Sequence, residues 1–415
     1  MDSSIKFVHF SDTHLGLETH GRVNPKTGRS TRLEDILRCL DSIVERAIDE
    51  SVDLALIPGD VFHRENPHPT EETEFAMRLN GLVQETGAEV IIVLGNHDYP
   101  SASGRAAAVE IFPALNIEKI HVAKSPETLL LPIKDTTVQV VCMPWTRKSA
   151  VTANESTKPL SALDVQRETE DRMVSLLRGF IEELDASNPA VLVGHMAVRN
   201  ASYSGTERST LDISDPTMPL SELTQGELAY AALGHIHRFQ DMNRGKGTPV
   251  VYTGSIERVD FSEEMDEKGF VIGEIYHEDG GWKCKYDFVK TPARRFVTIE
   301  LEAGDGGIPE EDIAAALGDK GVEGAVVKVR CTVREVDVSI NEKGIRNALK
   351  GAFSVRVERI LDSAGRATRA VELTKELDPV SALEKYIQHK PELKNISKEM
   401  IQCARRLIKE VEDEN

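Results

Sequence analysis

The sequence predicts an α/β fold: a layered domain of strands flanked by helices, then a small α+β module and a helical tail. Three observations carry that prediction. Apolar runs of four or five residues recur and end at turn signals, the pattern of buried strands. Helix-period apolar stripes stand between the first of these runs. Five of the runs also stop at a polar cluster, and in open α/β sheets the ligand crevice lies just beyond the carboxyl ends of the strands.

The first strand is FVHF, ending at Asp12 and His14, and it leads into a loop with Arg22, Lys26, Arg29 and Arg32. Leu33, Ile36, Leu37, Leu40, Ile43, Val44, Ala47 and Ile48 then fall on one helical stripe. LALIP is the second strand and delivers Asp60 and His63. A second stripe, Phe75, Leu79, Leu82 and Val83, leads to VIIVL and the turn carrying Asn96, His97 and Asp98. This β-α-β-α-β order implies a layered domain. Further strands are expected at VQVVCMP, at AVLV before His195, at AAL before His235 and His237, and at PVVYTGS. KGFVIGEIY and WKCKYDFV are expected as an antiparallel run closing a domain over 1–290. The character changes at Thr291-Pro292, and 291–362 is expected as the α+β module, with strands VTIEL, AVVKVRCTVRE and SVRVERIL and helices over 308–317 and 340–349. A connector rich in small residues, 363–377, precedes a tail over 378–415. Asp378-Pro379 is a good helix start, the helix is interrupted near Lys390-Pro391, and Ser397 is expected to cap a second one. Met400, Ile401, Ala404, Leu407, Ile408 and Val411 form its apolar stripe.

At 415 residues the chain is too long for one ordinary core. Hydrophobic content of 40% and charged content of 29% describe a globular protein, and no apolar run reaches the length of a membrane span. The first residues pass directly into a strand, so no signal peptide is expected. Cys39, Cys142, Cys284, Cys331 and Cys403 form no CxxC pair, which argues against a disulfide framework or a thiolate zinc clip. A reducing cytoplasm is expected. A net charge of −19 argues against indiscriminate nucleic-acid binding. It leaves room for a local basic patch, and divalent cations would supply a positive field of their own.

Asp12 and His14 are two apart, as are His235 and His237, and in an extended chain such pairs point to the same side. Gly59, Gly95, Gly194 and Gly234 each precede a candidate ligand, where glycine permits a sharp turn or a close backbone approach. Carboxylate, amide and imidazole without thiolate suit Mn²⁺, Fe²⁺ or Zn²⁺. Asp12, His14, Asp60, Asn96, His195, His235 and His237 are more ligands than one ion needs from a site with open positions. Two ions sharing a carboxylate, roughly 3.5–4 Å apart, fit better and would act on a phosphoester by clamping its oxygens and acidifying a bound water. A lone DxH or GH is common, so the weight rests on all five clusters together. His9, His20, His68, His121, His277 and His389 have no such context.

The order D-x-H, G-D, G-N-H-D, G-H, G-H-x-H resembles the calcineurin-like metallophosphoesterase superfamily. FSDTHLG, GDVFH, LGNHD and LGHIHR resemble its DNA-repair branch, the SbcD/meiotic-recombination-eleven nucleases. The resemblance covers nearly the whole chain. It implies a β-sandwich flanked by helices, a small α+β capping domain that binds DNA, and a tail that binds an SbcC-type coiled-coil ATPase. It implies two Mn²⁺ per chain, one on Asp12, His14, Asp60 and His237 and the other on Asp60, Asn96, His195 and His235. His97 would then be no ligand but the group that stabilises the transition state and protonates the leaving oxygen. Asp98 would orient His97, or else merely cap the following segment. His63 would position the DNA phosphate, or be a solvated loop residue.

Arg22, Lys26, Arg29 and Arg32, with Arg238, Arg199 and Arg208, are candidates for phosphate contacts, against ordinary solvated charges; Tyr203 is a weaker candidate for stacking on a base. The tail stripe lies in a partner's groove or packs back on its own domain. Relatives dimerise, and here the candidate surfaces are the Phe75–Val83 stripe and the segment around Ala107, Ile111, Phe112 and Leu115. The implied activity is an Mn²⁺-dependent nuclease, a 3′-to-5′ double-strand exonuclease and single-strand endonuclease acting at DNA breaks. Competing readings are a phosphoesterase for small nucleotides or phosphoproteins, and a non-catalytic scaffold, although scaffolds usually lose ligands and all are present here.

Overall fold

The computed structural model describes residues 4–102, 104–146, 161–204, 216–303, 321–333, 340–361, 380, 383 and 397–413. The chain divides into two compact units. One is Met1–Ile299 with Leu317–Lys328 and Leu349–Arg356, and the other is Glu300–Ala316 with Val329–Ala348 and Val357–Asn415.

The first unit is built on two six-stranded sheets. Sheet one contains β1 (Ile5–His9), β2 (Leu54–Ile57), β3 (Glu89–Val93), β4 (Ile120–Ala123), β13 (Gly269–Glu278) and β14 (Gly281–Lys290), in the order β14-β13-β1-β2-β3-β4. β1 to β4 are parallel, and β13 joins β1 antiparallel. Sheet two contains β5 (Glu127–Ile133), β6 (Thr136–Met143), β7 (Ala190–His195), β10 (Leu228–Gly234), β11 (Gln240–Asp241) and β12 (Val250–Tyr252), ordered β11-β12-β10-β7-β6-β5. Its four middle strands are parallel. A small separate pair, β8 (Ala197–Val198) and β9 (Thr217–Met218), lies beyond β7.

Alternation along each strand decides which core a side chain enters. Phe7 of β1, Leu56 of β2 and Ile91 of β3 meet Val140, Val191 and Ala232 of sheet two in a core between the sheets. Val8, Ala55 and Ile92 point the other way, onto α1 (Thr31–Asp49) and α2 (Pro69–Thr86). On the outer face of sheet two, Leu192 and Ala231 pack with Met173 and Leu177 of α4 (Ala162–Glu182). Layers thus run helix, sheet, sheet, helix, the arrangement that lets fully apolar strands such as LALI be buried on both faces. The expected antiparallel closure is the β13–β14 hairpin, turned at Asp279-Gly280, both with positive φ (54° and 81°) as a tight hairpin turn requires.

The expected α1 stripe is buried at Leu33, Ile36, Leu37, Leu40, Ile43 and Ala47. Helix α2 begins at a capping box in which the His68 ring accepts from Thr70 N, Glu71 reaches back to His68 N, and Pro69 occupies the first turn. Its Phe75, Leu79, Leu82 and Val83 stripe is core, which corrects its candidacy as a dimer surface: these side chains pack under sheet one. Of the second candidate segment, around α3 (Ile111–Ala114), Ala107 and Phe112 are buried while Ile111 and Leu115 are 50% and 66% exposed. A short helix, α5 (Leu220–Leu223), follows β9.

The three strands of the expected α+β module are β15 (Phe296–Ala303), β16 (Val326–Val333) and β17 (Ser354–Leu361), in one sheet in that order. The division between the two units passes through these strands. Helix α6 (Glu342–Ala348) stands for the expected 340–349 helix and buries Ile345. The helix expected over 308–317 and the connector 363–377 lie outside the described residues, as does nearly all of the first tail helix. The second tail helix is α7 (Ser397–Asp413), with Ser397 as its first helical residue, one position inside the expected cap. Among the described residues no helix is long and apolar enough to cross a membrane.

His9 is wholly buried with Nδ1 3.0 Å from Tyr230 Oη, and burial pushes its imidazole down to about 3. The folded chain therefore keeps His9 neutral where the unfolded chain, with a pKa near ~6.5, takes a proton. Stability from this group is intact above ~6.5 and declines as pH falls toward 3, by up to ~1.4 kcal/mol per pH unit. His9→Asn keeps an acceptor near Tyr230 without titrating. It is expected to flatten the pH dependence of denaturant unfolding between pH 7 and 4 by about one proton, and equal slopes in the two proteins would contradict this account.

Candidate metal centre

The expected ligands gather at the ends of β1, β2, β3, β7 and β10: His195 is the last residue of β7, and the others stand on the loops that leave their strands. The loops are stitched by backbone: Asp12 N donates to Gly59 O at 3.1 Å and His14 N to Asp60 O at 3.1 Å. Asp12 also accepts at Oδ1 from His235 N at 3.0 Å, which ties sheet one to sheet two. Asp12, His14, Asp60 and His235 all hold positive φ (51°, 44°, 51° and 101°), a rare conformation for residues with a Cβ. Glycine is needed at three of the preceding positions, Gly59, Gly95 and Gly234. A Cβ on Gly59 (φ +83°) would lie 2.6 Å from Gly95 N and His195 Nδ1, and one on Gly234 would lie 2.0 Å from Pro58 O.

Three groups of side chains converge within 4.8 Å: Asp12, His14 and His237; Asp12, Asp60 and His195; and His14, His63 and His97. Asn96 joins them, its Oδ1 2.9 Å from His195 Nε2 and 3.1 Å from His235 Nδ1. Asp60 lies at the middle, Oδ2 3.6 Å from His195 Nε2 and 3.9 Å from His14 Nε2, with Oδ1 accepting from His97 N at 2.9 Å.

The donor set fits divalent cations. His195 Nδ1 donates to Pro58 O at 2.8 Å and His237 Nδ1 to Glu263 Oε1 at 2.8 Å, so each presents a bare Nε2. The Nε2 of His237 faces that of His14 at 3.0 Å. His14 Nδ1 and His235 Nε2 are buried without a hydrogen-bond partner. Lone pairs turned on one another in a dry site are unfavourable unless a cation lies among them. Burial, then the neighbouring His237, His97 and His63 rings, push the His14 imidazole well below its usual range. Burial takes His235 to about 3, and so both rings stay neutral donors. Burial raises the Asp12 carboxyl against the pull of His195 and His237. At Asp60 burial acts upward too, but His195, His97 and the His97 N–H outweigh it and hold the carboxyl low.

His97 is half-buried. Its ring stacks on His63 (centroids 5.6 Å, 16°) and meets His14 edge-on at 4.9 Å, and Nδ1 donates to His63 O at 3.0 Å. Its orienting partner is therefore the His63 carbonyl. This corrects the expected role of Asp98, whose Oδ1 accepts from Val61 N and Phe62 N at 3.1 and 3.3 Å while Oδ2 accepts from Gly95 N at 2.9 Å. Asp98 staples the Asp60 loop to the Asn96 loop and does not touch the His97 ring. Burial and the facing Asp60 raise its carboxyl to about 7. His63 Nδ1 is buried without a partner, and the ring faces His14 and His97.

The expected phosphate contacts divide. Arg22 and Lys26 are exposed, the former with its guanidinium 4.7 Å above Phe353. Arg29 pairs with Glu74 at 2.5 Å, Arg199 bonds Glu170, and Arg238 lies 3.5 Å from Asp266. Tyr203 is half-buried against the core outside sheet two, and Arg208 lies outside the described residues. Arg32 is a correction: it is 0% exposed, because it occupies the inward face of the first turn of α1, between Asp35 and Glu257 at 3.5 and 3.7 Å.

Sequence reasoning missed Trp145, whose ring lies over His235 (centroids 4.9 Å) and near His195 (6.0 Å). VQVVCMP is an apolar run like the others, and the residues just beyond it could have been read as a sixth site cluster. Glu263 and Lys268, behind His237, carry no local signal.

The sequence pattern of the calcineurin-like phosphoesterase family matches residues 5–239. Among curated relatives, the DNA double-strand break repair protein Mre11 of Archaeoglobus fulgidus is 25% identical, over 86% of this chain and 75% of its own length. The SbcD component of the nuclease SbcCD of Bacillus subtilis is 26% identical over 65% of this chain and 66% of its own, and the Mre11 protein of Aeropyrum pernix 27% identical over 73% and 64%.

Replacing Asp98 by Ala leaves three buried N–H groups unpartnered, and each lost partner costs ~1–3 kcal/mol. The expected result is a fall of at least ~3 kcal/mol in unfolding free energy by urea titration of the metal-free protein. Wild-type stability in Asp98→Ala would return the residue to a purely catalytic role.

Proposed function

The chain belongs to the calcineurin-like phosphoesterase family, and from that premise we propose that it is an Mn²⁺-dependent DNA nuclease processing broken ends. The observation that carries the proposal is the convergence of Asp12, His14, Asp60, Asn96, His195, His235 and His237 beside a half-buried imidazole that is free to act. Asp12, His14, Asp60 and His237 would hold one cation, and Asp60, Asn96, His195 and His235 the other; the place of Asp60 between His14 and His195 supports its belonging to both sets. A bound metal pair supplies charge for the phosphoryl oxygens and acidifies a water.

The remaining work falls to the chain's own side chains. His97, held by the His63 carbonyl through Nδ1, keeps Nε2 for the leaving oxygen and delivers the proton there. His63, stacked on His97, positions the phosphate. Trp145 walls the His195 and His235 side and limits water. Arg22, Lys26, Arg29 and Arg238 are the proposed backbone contacts to duplex or single-stranded DNA, and Arg32 is withdrawn because it is buried. The names of the relatives support DNA as substrate and an SbcC-type ATPase as partner, with α7 as the docking helix. Homodimerisation through the exposed Ile111 and Leu115 belongs to the same proposal.

His97→Gln is expected to bind Mn²⁺ as the wild type does while degrading a blunt duplex ~10²–10⁴-fold more slowly; an unchanged rate removes His97 from the reaction. Chelation is expected to abolish cleavage and added Mn²⁺ to restore it. A nitrophenyl phosphate ester run beside the duplex separates the readings: rapid turnover of the ester with an intact duplex would favour the small-substrate phosphoesterase.

A further inference from the structure

We propose that Glu263 and Lys268 are positioning residues that fix His237 as a ligand and so strengthen one of the two cation sites selectively. The proposal rests on the reading of the site as a metal centre. Both side chains are fully buried, with Lys268 Nζ 2.7 Å from Glu263 Oε2. Lys268 Nζ also donates to His237 O at 2.8 Å and to Ser255 Oγ at 2.9 Å, so its three protons are all engaged. Glu263 accepts from His237 Nδ1 at 2.8 Å on Oε1, and from Val259 N at 2.9 Å on Oε2. The pair therefore grips His237 twice, Glu263 by its ring and Lys268 by its carbonyl. Gly254 lets the supporting loop close in, since a Cβ there would lie 2.5 Å from His237 O.

A buried ion pair is a poor device for stability alone, because desolvation cancels much of the attraction. It is an effective device for orienting an imidazole: a carboxylate on one ring nitrogen fixes the tautomer and makes the other nitrogen a stronger donor. Among the described ligand histidines, His237 alone has this partner. His195 leans on a neutral carbonyl, and the outer nitrogens of His14 and His235 have no partner. The two cation sites are thus built unequally, and the one containing His237 receives the added donor strength. Lys268 balances the charge of Glu263 in a place that water does not reach.

The test is calorimetric titration of the metal-free protein with Mn²⁺. Wild type is expected to show two binding events. E263Q/K268M keeps the volume of the pair and an acceptor oxygen but removes both charges. It is expected to weaken one event by ~10–100-fold and to leave the other in place. E263D keeps the ion pair with a shorter reach and is expected to weaken the same event to a smaller degree. Two events of wild-type affinity in the folded double variant overturn the proposal. Equal weakening of both events, or failure of both variants to fold, reassigns the pair to the fold and also overturns it. A wild type that binds no Mn²⁺ at all defeats the metal-centre reading itself, a separate result.

Discussion

Crowded lone pairs are the constraint on which the rest of this structure depends. Asp12, Asp60, Asn96 and the rings of His14, His195, His235 and His237 bring their ligand atoms close to one another in a largely buried site. A cation lying among these donors stabilises their crowding, and the arrangement fits a receptacle for cations. A group of this kind relaxes apart unless the backbone holds it, and the surrounding structure is a set of devices for holding it.

The devices are of three kinds. Strand ends from two sheets are brought together: hydrogen bonds from Asp12 and His14 join the loops after β1 and β2 within sheet one, and the bond from His235 N to Asp12 Oδ1 ties sheet two to them. Four candidate ligands accept a strained positive φ, and Gly59, Gly95 and Gly234 remove the Cβ atoms that would keep the loops apart. Asp98 then fastens the loop of Asp60 to that of Asn96 with three backbone hydrogen bonds. The strain is sustained because the apolar cores on both faces of each sheet fix the strands from which the loops emerge.

Chemistry follows from what is left unheld. His97 has Nδ1 committed to the His63 carbonyl and stands beside the candidate ligand imidazoles. Under the proposed function this places a proton donor and a cation site side by side without competition for the same atoms. The buried charges behind His237 extend the same logic outward, from ligand to the residues that aim it.

The five ligand clusters were legible in the sequence because each is a local pattern: an apolar run, a glycine in most, then Asp, Asn or His at a spacing that an extended chain can present together. The helix stripes, the β13–β14 hairpin and the start of α7 were legible for the same reason. Arg32 was misread because charge says nothing of direction, and one turn of helix carried it inward onto Asp35 and Glu257. Asp98 was expected either to orient its sequence neighbour His97 or to cap the following segment, whereas its partners include Val61 and Phe62, residues that only sheet pairing brings close. The Phe75 stripe offered no means of telling core from interface, since both are apolar, and only the packing of α2 under sheet one decided it. Sequence by itself determined which side chains could bind metal and at which strand ends they stand, because those depend on spacing along the chain. Tertiary structure alone decided which groups hold those side chains in place, among them Trp145, Glu263 and Lys268, because such contacts depend on distances between residues that the chain keeps far apart.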